Sequence, residues 1–262
     1  MLKFCVLASG SSGNSSLVAT SRTRLLIDAG LGVRDLMQRL ASAGESLDSL
    51  HAILITHEHS DHVAGLCRVL REFTKRTKRK IPVYITNRAA PTIDWENCEP
   101  ALERFQAGSS FMIGDIAVDS FTIPHDAIDP VGFTFRVFGV KVGIATDLGY
   151  IPDSIKYHLR STDVLLLESN HDIEMLKVGP YPWSVKQRVM GRNGHLSNDV
   201  VSDFLASDFA SSTAALILGH LSEHNNHPEL VRMSAAAALE QRGLNTRLVI
   251  AEQNHPSEVF TF

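Results

Sequence analysis

The chain has 262 residues, of which 44% are hydrophobic and 21% charged, a composition typical of a globular protein with one large core or two modest ones. Its formal net charge of −4 excludes a global positive field that recruits nucleic acid, so any such binding must come from a local patch. No apolar run has the length of a membrane span or of a signal peptide.

Three cysteines, Cys5, Cys67 and Cys98, are scattered along the chain and form no Cys-x-x-Cys pair. Cys5 and Cys67 lie in apolar strand and helix contexts, so we expect buried free thiols at both positions. Free thiols suit a reducing compartment, and we therefore predict a cytoplasmic protein.

Apolar runs predict strands, and a spacing of about 3.6 residues predicts helices. In chain order these patterns predict strands at 2–8, 16–20 and 24–28, a helix at 32–43, a strand ending at Thr56, a helix at 63–73, a strand at 81–86, short antiparallel strands within 102–123, a hairpin of 131–137 and 141–145, a helix at 153–160, a strand at 163–168, an irregular stretch at 171–199, a helix at 198–209, a strand at 214–218, a helix at 228–241 and two final strands. No long linker or tandem repeat interrupts the series. We therefore predict one α/β domain spanning residues 1–262, built as a two-sheet sandwich flanked by helices.

A turn rich in Ser, Gly and Asn, residues 9–15, follows the first predicted strand. A hairpin loop of this composition needs no further role. Its amides and hydroxyls equally suit an anion held at a site. Ser11 and Asn14 are its candidate substrate contacts.

Four side chains that can bind metal follow the strand ending at Thr56, namely His57, His59, Asp61 and His62. On an extended loop, His57 and His59 project to one side and can chelate one ion. Asp61 and His62 lie in the next turn and can reach a second ion about 3.5–4 Å away. Imidazole and carboxylate ligands without thiolate suit zinc, manganese or iron.

Other predicted strands also end in ionisable side chains, namely Asp28, His125, Asp147, Glu168 and His220. Each alone has a simple structural explanation, such as a turn or a single hydrogen bond. Because α/β sheets place their sites at strand ends, we treat these residues as candidates for the same site as the His57–His62 loop.

Two basic stretches are candidate phosphate contacts. The run 75–80 is interpreted first as a solvated helix end and second as a contact to a phosphate backbone. Within 171–199, the candidates are His171, Lys186 and Arg188. Arg192 could contact a further phosphate and Tyr181 or Trp183 could stack on a base, although loop packing explains the aromatics as well.

The pattern His-x-His-x-Asp-His resembles the metallo-β-lactamase fold superfamily of binuclear hydrolases. Chain-wide motifs, such as Leu-Glu-Ser-Asn-His-Asp at 167–172 and Gly-His-Leu-Ser-Asn at 194–198, resemble its YycJ/WalJ group, which is associated with DNA exonuclease activity. His224 departs from the group, where Glu is expected. The resemblance implies a four-layer αββα sandwich.

The resemblance also implies a role for each strand-end residue. It assigns His57, His59 and His125 to one metal, Asp61, His62 and His220 to the other, and Asp147 to both. Asp28 supports the metal loop by hydrogen bonds. A bridging hydroxide is the implied nucleophile, with Asp61, His195 and Glu168 as the catalytic residues; Glu168 orients His195, which protonates the leaving oxygen.

We therefore predict a phosphodiesterase or nuclease of the DNA exonuclease type, with two divalent ions, zinc first and manganese second, and with DNA favoured over RNA as substrate. One alternative is a small ester, thioester or cyclic phosphodiester hydrolase on the same metals. Another is a non-catalytic metal-binding regulatory protein. We predict no membrane association.

Overall fold

The computed structural model describes residues 1–95 and 98–262, which form two seven-stranded β-sheets. The strands are β1 (Lys3–Ala8), β2 (Ser15–Ala19), β3 (Arg24–Ile27), β4 (Ala52–Leu54), β5 (Pro82–Thr86), β6 (Ala101–Phe105), β7 (Ser110–Ile113), β8 (Ile116–Thr122), β9 (Val131–Val137), β10 (Val140–Ala145), β11 (Val164–Glu168), β12 (Ala215–Gly219), β13 (Arg247–Ile250) and β14 (Phe260–Thr261). The α-helices are α1 (Val33–Ser42), α2 (Ser60–Val63), α3 (Leu66–Thr77), α4 (Asp153–Leu159), α5 (Ile173–Val178), α6 (Trp183–Val189), α7 (Asn198–Ser207) and α8 (Pro228–Gln241).

Each sheet is antiparallel on one side and parallel on the other. The first has the order β14-β1-β2-β3-β4-β5-β6, with β3 to β6 parallel. The second has the order β13-β12-β11-β10-β9-β8-β7, with β10 to β13 parallel. The carboxyl ends of neighbouring parallel strands meet at one edge, which brings residues distant in sequence to one place.

The apolar strands are buried on both faces, which explains why they read as continuous hydrophobic runs. In β3, Leu25 and Ile27 belong to the core between the sheets, whereas Leu26 belongs to the core under α1 and α3. In β11, Val164 faces the first sheet and Leu165 packs into the core that includes α7 and α8. Helices therefore cover the outer face of each sheet, and the predicted αββα sandwich is confirmed.

Three secondary-structure predictions were wrong in detail. The first strand of the 102–123 region, β6, pairs in parallel with β5 in the first sheet instead of joining an antiparallel set. The stretch 171–199 contains the short helices α5 and α6, which begin after Asp172 and Pro182. Asp61 and His62, predicted to lie in a turn before the helix at 63–73, are part of the separate short helix α2. Helices of four to seven residues are too short to show a clear 3.6-residue pattern.

The cysteines differ from the prediction at one position. Cys5 is a buried free thiol, as predicted. Cys67 is instead bonded to Cys98, and the two Cα atoms are 5.7 Å apart. Nothing in the sequence spacing signals this pair, because 31 residues separate the two cysteines. The cytoplasmic location depends on free thiols at both positions, so it stays a prediction with less support.

Within residues 1–95 and 98–262, no helix combines the length and the apolar character needed to cross a bilayer.

Candidate metal centre

Asp28, at the end of β3, holds the segment that follows β4. Its Oδ1 accepts a hydrogen bond from the Thr56 backbone N at 2.8 Å, and its Oδ2 accepts one from Thr56 Oγ1 at 2.9 Å. The same Oδ2 lies 2.7 Å from His62 Nδ1. Asp28 therefore fixes both ends of the His57–His62 segment without facing the centre of the cluster.

Gly30 allows the His57–His62 segment, called the metal segment below, to approach the first sheet closely. A Cβ atom at this position would lie 1.8 Å from the Asp61 carbonyl oxygen. The Asn14 backbone N donates to that same oxygen at 2.7 Å. A side chain at residue 30 would push the start of α2, and with it Asp61, away from its place.

The first cluster consists of His57, His59 and His125, whose candidate ligand atoms all lie within 4.8 Å of one another. His125 Nδ1 lies 3.2 Å from the Gly194 carbonyl oxygen, which leaves Nε2 facing His59 Nδ1 at 3.2 Å. His57 Nδ1 lies 3.0 Å from Thr56 Oγ1. In His57 and His125, one ring nitrogen is thus held by a hydrogen bond and the other is directed inward, as in metal-binding histidines.

The second cluster consists of Asp61, His62, Asp147 and His220, again within 4.8 Å. His62 Nε2 lies 3.3 Å from a carboxylate oxygen of Asp61 and of Asp147. His220 Nε2 lies 3.2 Å from the same two carboxylates. The opposite nitrogens are held by Asp28 and by Glu168, whose Oε1 is 3.1 Å from His220 Nδ1.

Asp147 is shared between the clusters. Its Oδ1 is 3.2 Å from His220 Nε2 and 4.0 Å from His125 Nε2 of the first cluster. Asp147, Asp28 and His220 all have left-handed backbone conformations, with φ of 61°, 60° and 55°. Non-glycine residues seldom adopt this conformation, and it concentrates at functional sites because the surrounding contacts must offset its cost. Here it occurs at three strand ends: Asp147 and His220 meet in the second cluster, whereas Asp28 contacts Thr56 and the outer nitrogen of His62.

The donor set fits a pair of divalent cations. His57 Nε2 and Asp147 Oδ2 are buried and have no hydrogen-bond partner among the described residues. Burial disfavours a proton on His62, but Asp147 and Asp28 outweigh it and raise the pKa of His62 well above its usual value. Burial also opposes a charge on His220, but Asp147 raises its pKa in the same way. The buried negative charge of these carboxylates must be balanced by positive charge, and bound metal ions would supply it.

Glu168 and His195 form a pair beside the clusters. Glu168 Oε1 lies 2.6 Å from His195 Nδ1, while its Oε2 accepts hydrogen bonds from the backbone N of Leu148 at 3.0 Å and of Leu196 at 3.1 Å. Burial alone would raise the pKa of Glu168, but His195 and His220 lower it to about 2. Burial also opposes a charge on His195, but the Glu168 carboxylate raises the pKa of His195 above its usual value.

A cavity of about 340 Å³ opens over both clusters. Its walls combine residues from the clusters, His195, and residues from loops and the short helices α2 and α6, including His59, Asp61, Asp147, His195, His220, Ser11, Ser60, Asn170, Tyr181, Arg188 and Ser222. A substrate in this cavity would touch His195 and the metal-binding residues together.

Two of the predicted substrate contacts, Asn14 and Lys186, have hydrogen-bond partners within the protein. Asn14 is buried, and its Nδ2 donates to Asp61 Oδ2 at 3.0 Å while its Oδ1 accepts from the Gly10 backbone N at 2.9 Å. It positions a ligand candidate and does not face substrate. Lys186 is also buried, and its Nζ donates to the Lys177 carbonyl oxygen at 2.7 Å. It joins α6 to the end of α5, because the short helix turns this side chain inward.

The other predicted contacts lie nearer the cavity. Ser11 is exposed and lines it. Arg188 lines it as well, and its Nε donates to Oδ2 of Asp126, the residue after His125. His171 is buried, and burial lowers its pKa to about 4, so this imidazole is neutral near pH 7.

Sequence reasoning missed the roles of Thr56, Asn170 and Asp126. Asn170 lines the cavity, and its Nδ2 donates to the His220 carbonyl oxygen at 2.8 Å. Thr56 and Asp126 directly adjoin the candidate ligands His57 and His125, and Asn170 follows the end of β11 by two residues, so closeness in sequence to the strand-end residues is the signal that could have found them.

Comparisons with known proteins agree with this geometry. A family model described as "Beta-lactamase superfamily domain" matches residues 23–208. The chain is 36% identical over 250 residues to the exodeoxyribonuclease YycJ of Bacillus anthracis, covering 92% of this chain and 90% of the relative. It is 34% identical over 247 residues to the exodeoxyribonuclease WalJ of Streptococcus pneumoniae, with the same shares covered.

Among solved structures, the metallo-β-lactamase fold protein YhfI from Bacillus subtilis superposes with a TM-score of 0.74 at 17% identity, covering 99% of this chain and 98% of that one. At that identity the superposition shows only that the two chains share a fold. Together with the family match and the two relatives, it shows that this chain belongs to the metallo-β-lactamase superfamily.

Proposed function

We propose that the protein is a binuclear metal-dependent phosphodiesterase that removes nucleotides from DNA ends. The observation that carries the proposal is the Glu168–His195 pair, held at 2.6 Å beside the two clusters and facing the same cavity. A hydrolase that needs only an activated water has no use for a separate buried acid pair. A phosphodiesterase does, because its leaving alkoxide must be protonated.

We assign His57, His59 and His125 to one ion, Asp61, His62 and His220 to the other, and Asp147 to a position between them. Zinc is our first choice because imidazole dominates the donor set, and manganese is the second because two carboxylates take part. When bound, such a pair supplies an activated water and neutralises charge on a phosphoryl group.

The chain's own residues supply the rest of the chemistry. Glu168 holds His195 Nδ1 and stabilises the charged imidazole, which leaves the Nε2 proton for the substrate. As the bond from phosphorus to the leaving oxygen breaks, that oxygen takes the Nε2 proton. Glu168 also holds His220 Nδ1, so one carboxylate sets the distance between the acid and the second cluster.

The choice of DNA rests on the two curated relatives, which are named exodeoxyribonucleases. Arg188 supports a phosphate-bearing substrate, because it lines the cavity while Asp126 fixes its Nε and leaves its terminal nitrogens for a phosphate. We assign Ser11 a hydrogen bond to the same substrate, and we keep His171, a buried neutral imidazole, as a candidate substrate contact.

The test is a substrate panel with metal-reconstituted protein: DNA and RNA labelled at either end, single- and double-stranded, and bis-p-nitrophenyl phosphate. We expect stepwise release of mononucleotides from DNA that stops on chelation and returns with zinc or manganese. Hydrolysis of the small diester without any attack on DNA would replace the nuclease proposal with a small-substrate phosphodiesterase. Full metal loading with no turnover on the panel would favour the regulatory alternative.

A further inference from the structure

Helix α3 presents three basic side chains on one exposed face, Arg68, Arg71 and Lys75, which we call the α3 basic face. Residues spaced by three and four lie on the same side of a helix. Across residues 1–95 and 98–262, Arg68 and Arg71 have no ion pair or side-chain hydrogen bond, and Lys75 has only a 3.9 Å contact to Glu72. Unpaired arginines on a surface are available to an anionic partner.

The neighbouring basic residues at the end of α3 differ. Arg76 Nε is 2.5 Å from Asp48, and Lys80 Nζ is 2.8 Å from Glu99. These pairs agree with the interpretation of the run 75–80 as a solvated helix end. Arg68 and Arg71 precede this run and line the cavity that shares Ser60 with the cavity over the metal clusters.

The α3 basic face is continuous with the cavity over the metal clusters. A second cavity, of about 360 Å³, is lined by Arg68 and Arg71 and shares Ser60 with the first. Its carboxylates are Asp94 and Glu58, and Glu58 Oε1 accepts from the Ile128 backbone N at 2.8 Å. A third cavity, of about 400 Å³, continues along α3 past Arg71 and Lys75. A path therefore leads from Ser60 outward along the helix.

Another cavity beside the metal centre is lined by acidic side chains. This cavity, of about 410 Å³, shares Ser11 and Ser222 with the central one and is lined by Glu223 and Glu252. Within the described parts of the chain, no lysine or arginine lines it. A phosphate entering there would meet two carboxylates, so a nucleic-acid strand is disfavoured on that side.

We propose that the sugar-phosphate backbone of the nucleic acid leaves the metal centre along the α3 basic face. This proposal rests on the proposed function and adds the direction of the strand. From Arg68 to Lys75 the helix rises by about 10 Å, and the phosphates of one strand advance about 3.4 Å per nucleotide along the duplex axis, so a duplex with its axis parallel to α3 would place about three phosphates along the face. Such contacts are independent of base sequence.

The test compares the charge-removing variant Arg68→Ala/Arg71→Ala with the control Arg160→Ala/Arg232→Ala, whose two arginines are exposed and line none of the cavities near the metal centre. Binding of the metal-loaded proteins to a phosphorothioate-linked oligonucleotide duplex is measured by fluorescence anisotropy over a range of KCl concentrations. Hydrolysis of bis-p-nitrophenyl phosphate reports whether the metal centre is intact.

We expect the α3 variant to bind about tenfold or more weakly, and the slope of log K against log [salt] to fall by about 1.8, because each lost phosphate contact contributes about 0.9. Hydrolysis of the small diester should be unchanged, and the control should match the wild type. An affinity and slope equal to the wild type would overturn the proposed track while leaving the nuclease assignment intact. A wild-type protein that hydrolyses the small diester but neither binds nor cleaves DNA would overturn both.

Discussion

The strand-end residues (Asp28, His57, Asp147, Glu168 and His220) and the rim residues (Tyr181 and Arg188) are associated with the same site but are held in different ways. Every strand-end residue is buried and contacts at least one other polar group of the site. Arg188 has a side chain that is 63% exposed, and its side-chain partner among the described residues is Asp126. We infer from this difference that catalysis depends on side chains held in fixed positions, whereas substrate binding depends on exposed side chains that can move to meet the substrate. Substitutions at strand ends should therefore change metal content and rate, and those at the rim should change KM.

Asp147→Ala should have the largest effect. Asp147 is the proposed ligand that the two clusters share, so its loss should release metal and reduce DNA cleavage to the background rate. Metal analysis of the dialysed protein and a cleavage assay measure both. The control is Asp199→Ala, which removes an exposed carboxylate from α7. A fully active, metal-loaded Asp147→Ala protein would remove the shared-ligand assignment.

His195→Ala should reduce kcat on DNA by about 10²–10⁴-fold, the usual contribution of a general acid or base. Metal content should stay at the wild-type value, because the seven proposed ligands are intact. A substrate with a nitrophenolate leaving group needs less protonation, so its rate should fall much less. His255→Ala, at an exposed position, is the matched control. Equal losses on both substrates would count against the acid role.

Asp28→Asn tests the support beneath the metal segment. We expect about 10–100-fold weaker metal binding, because the amide cannot hold both Thr56 and His62 Nδ1 as the carboxylate does. Activity should return at high metal concentration. A metal titration of the apoprotein measures the shift, and a variant that stays inactive at saturating metal would show that Asp28 acts on more than the metal site.

The smallest effects are expected at the rim, where two basic residues on one helix should behave differently. Arg188→Ala should raise KM for DNA about tenfold with little change in kcat, because one phosphate contact is lost. Lys186→Met should leave KM unchanged and lower the free energy of unfolding by about 1 kcal/mol, since it removes one buried hydrogen bond. Steady-state kinetics and urea unfolding separate the two. A raised KM for Lys186→Met would reopen its role as a phosphate contact.

The same comparison explains what the sequence could predict. Apolar runs ending in Asp28, Asp147 or His220 imply residues that meet at one edge of a sheet, because parallel strands align their carboxyl ends. The sandwich and the residues brought together at its edge were therefore predictable from the sequence pattern. The assignment of each candidate ligand to one of the two metal ions came from the resemblance to a known superfamily.

The rim was less predictable because its geometry depends on two short helices. Two positions along α6 decide whether a basic side chain faces the cavity, as Arg188 does, or the protein interior, as Lys186 does. Asn14 has the composition of an anion-binding turn, yet its amide bonds to Asp61. The pairing of Cys67 with Cys98 and the free arginines of the α3 basic face depend on tertiary contacts that local patterns do not encode.

The most direct test of the account is a metal titration of the wild-type apoprotein with DNA cleavage measured at each step. We predict that the protein binds two divalent ions per chain and that cleavage rises with the second equivalent. Full DNA cleavage with one ion per chain, or with none, would contradict a binuclear centre.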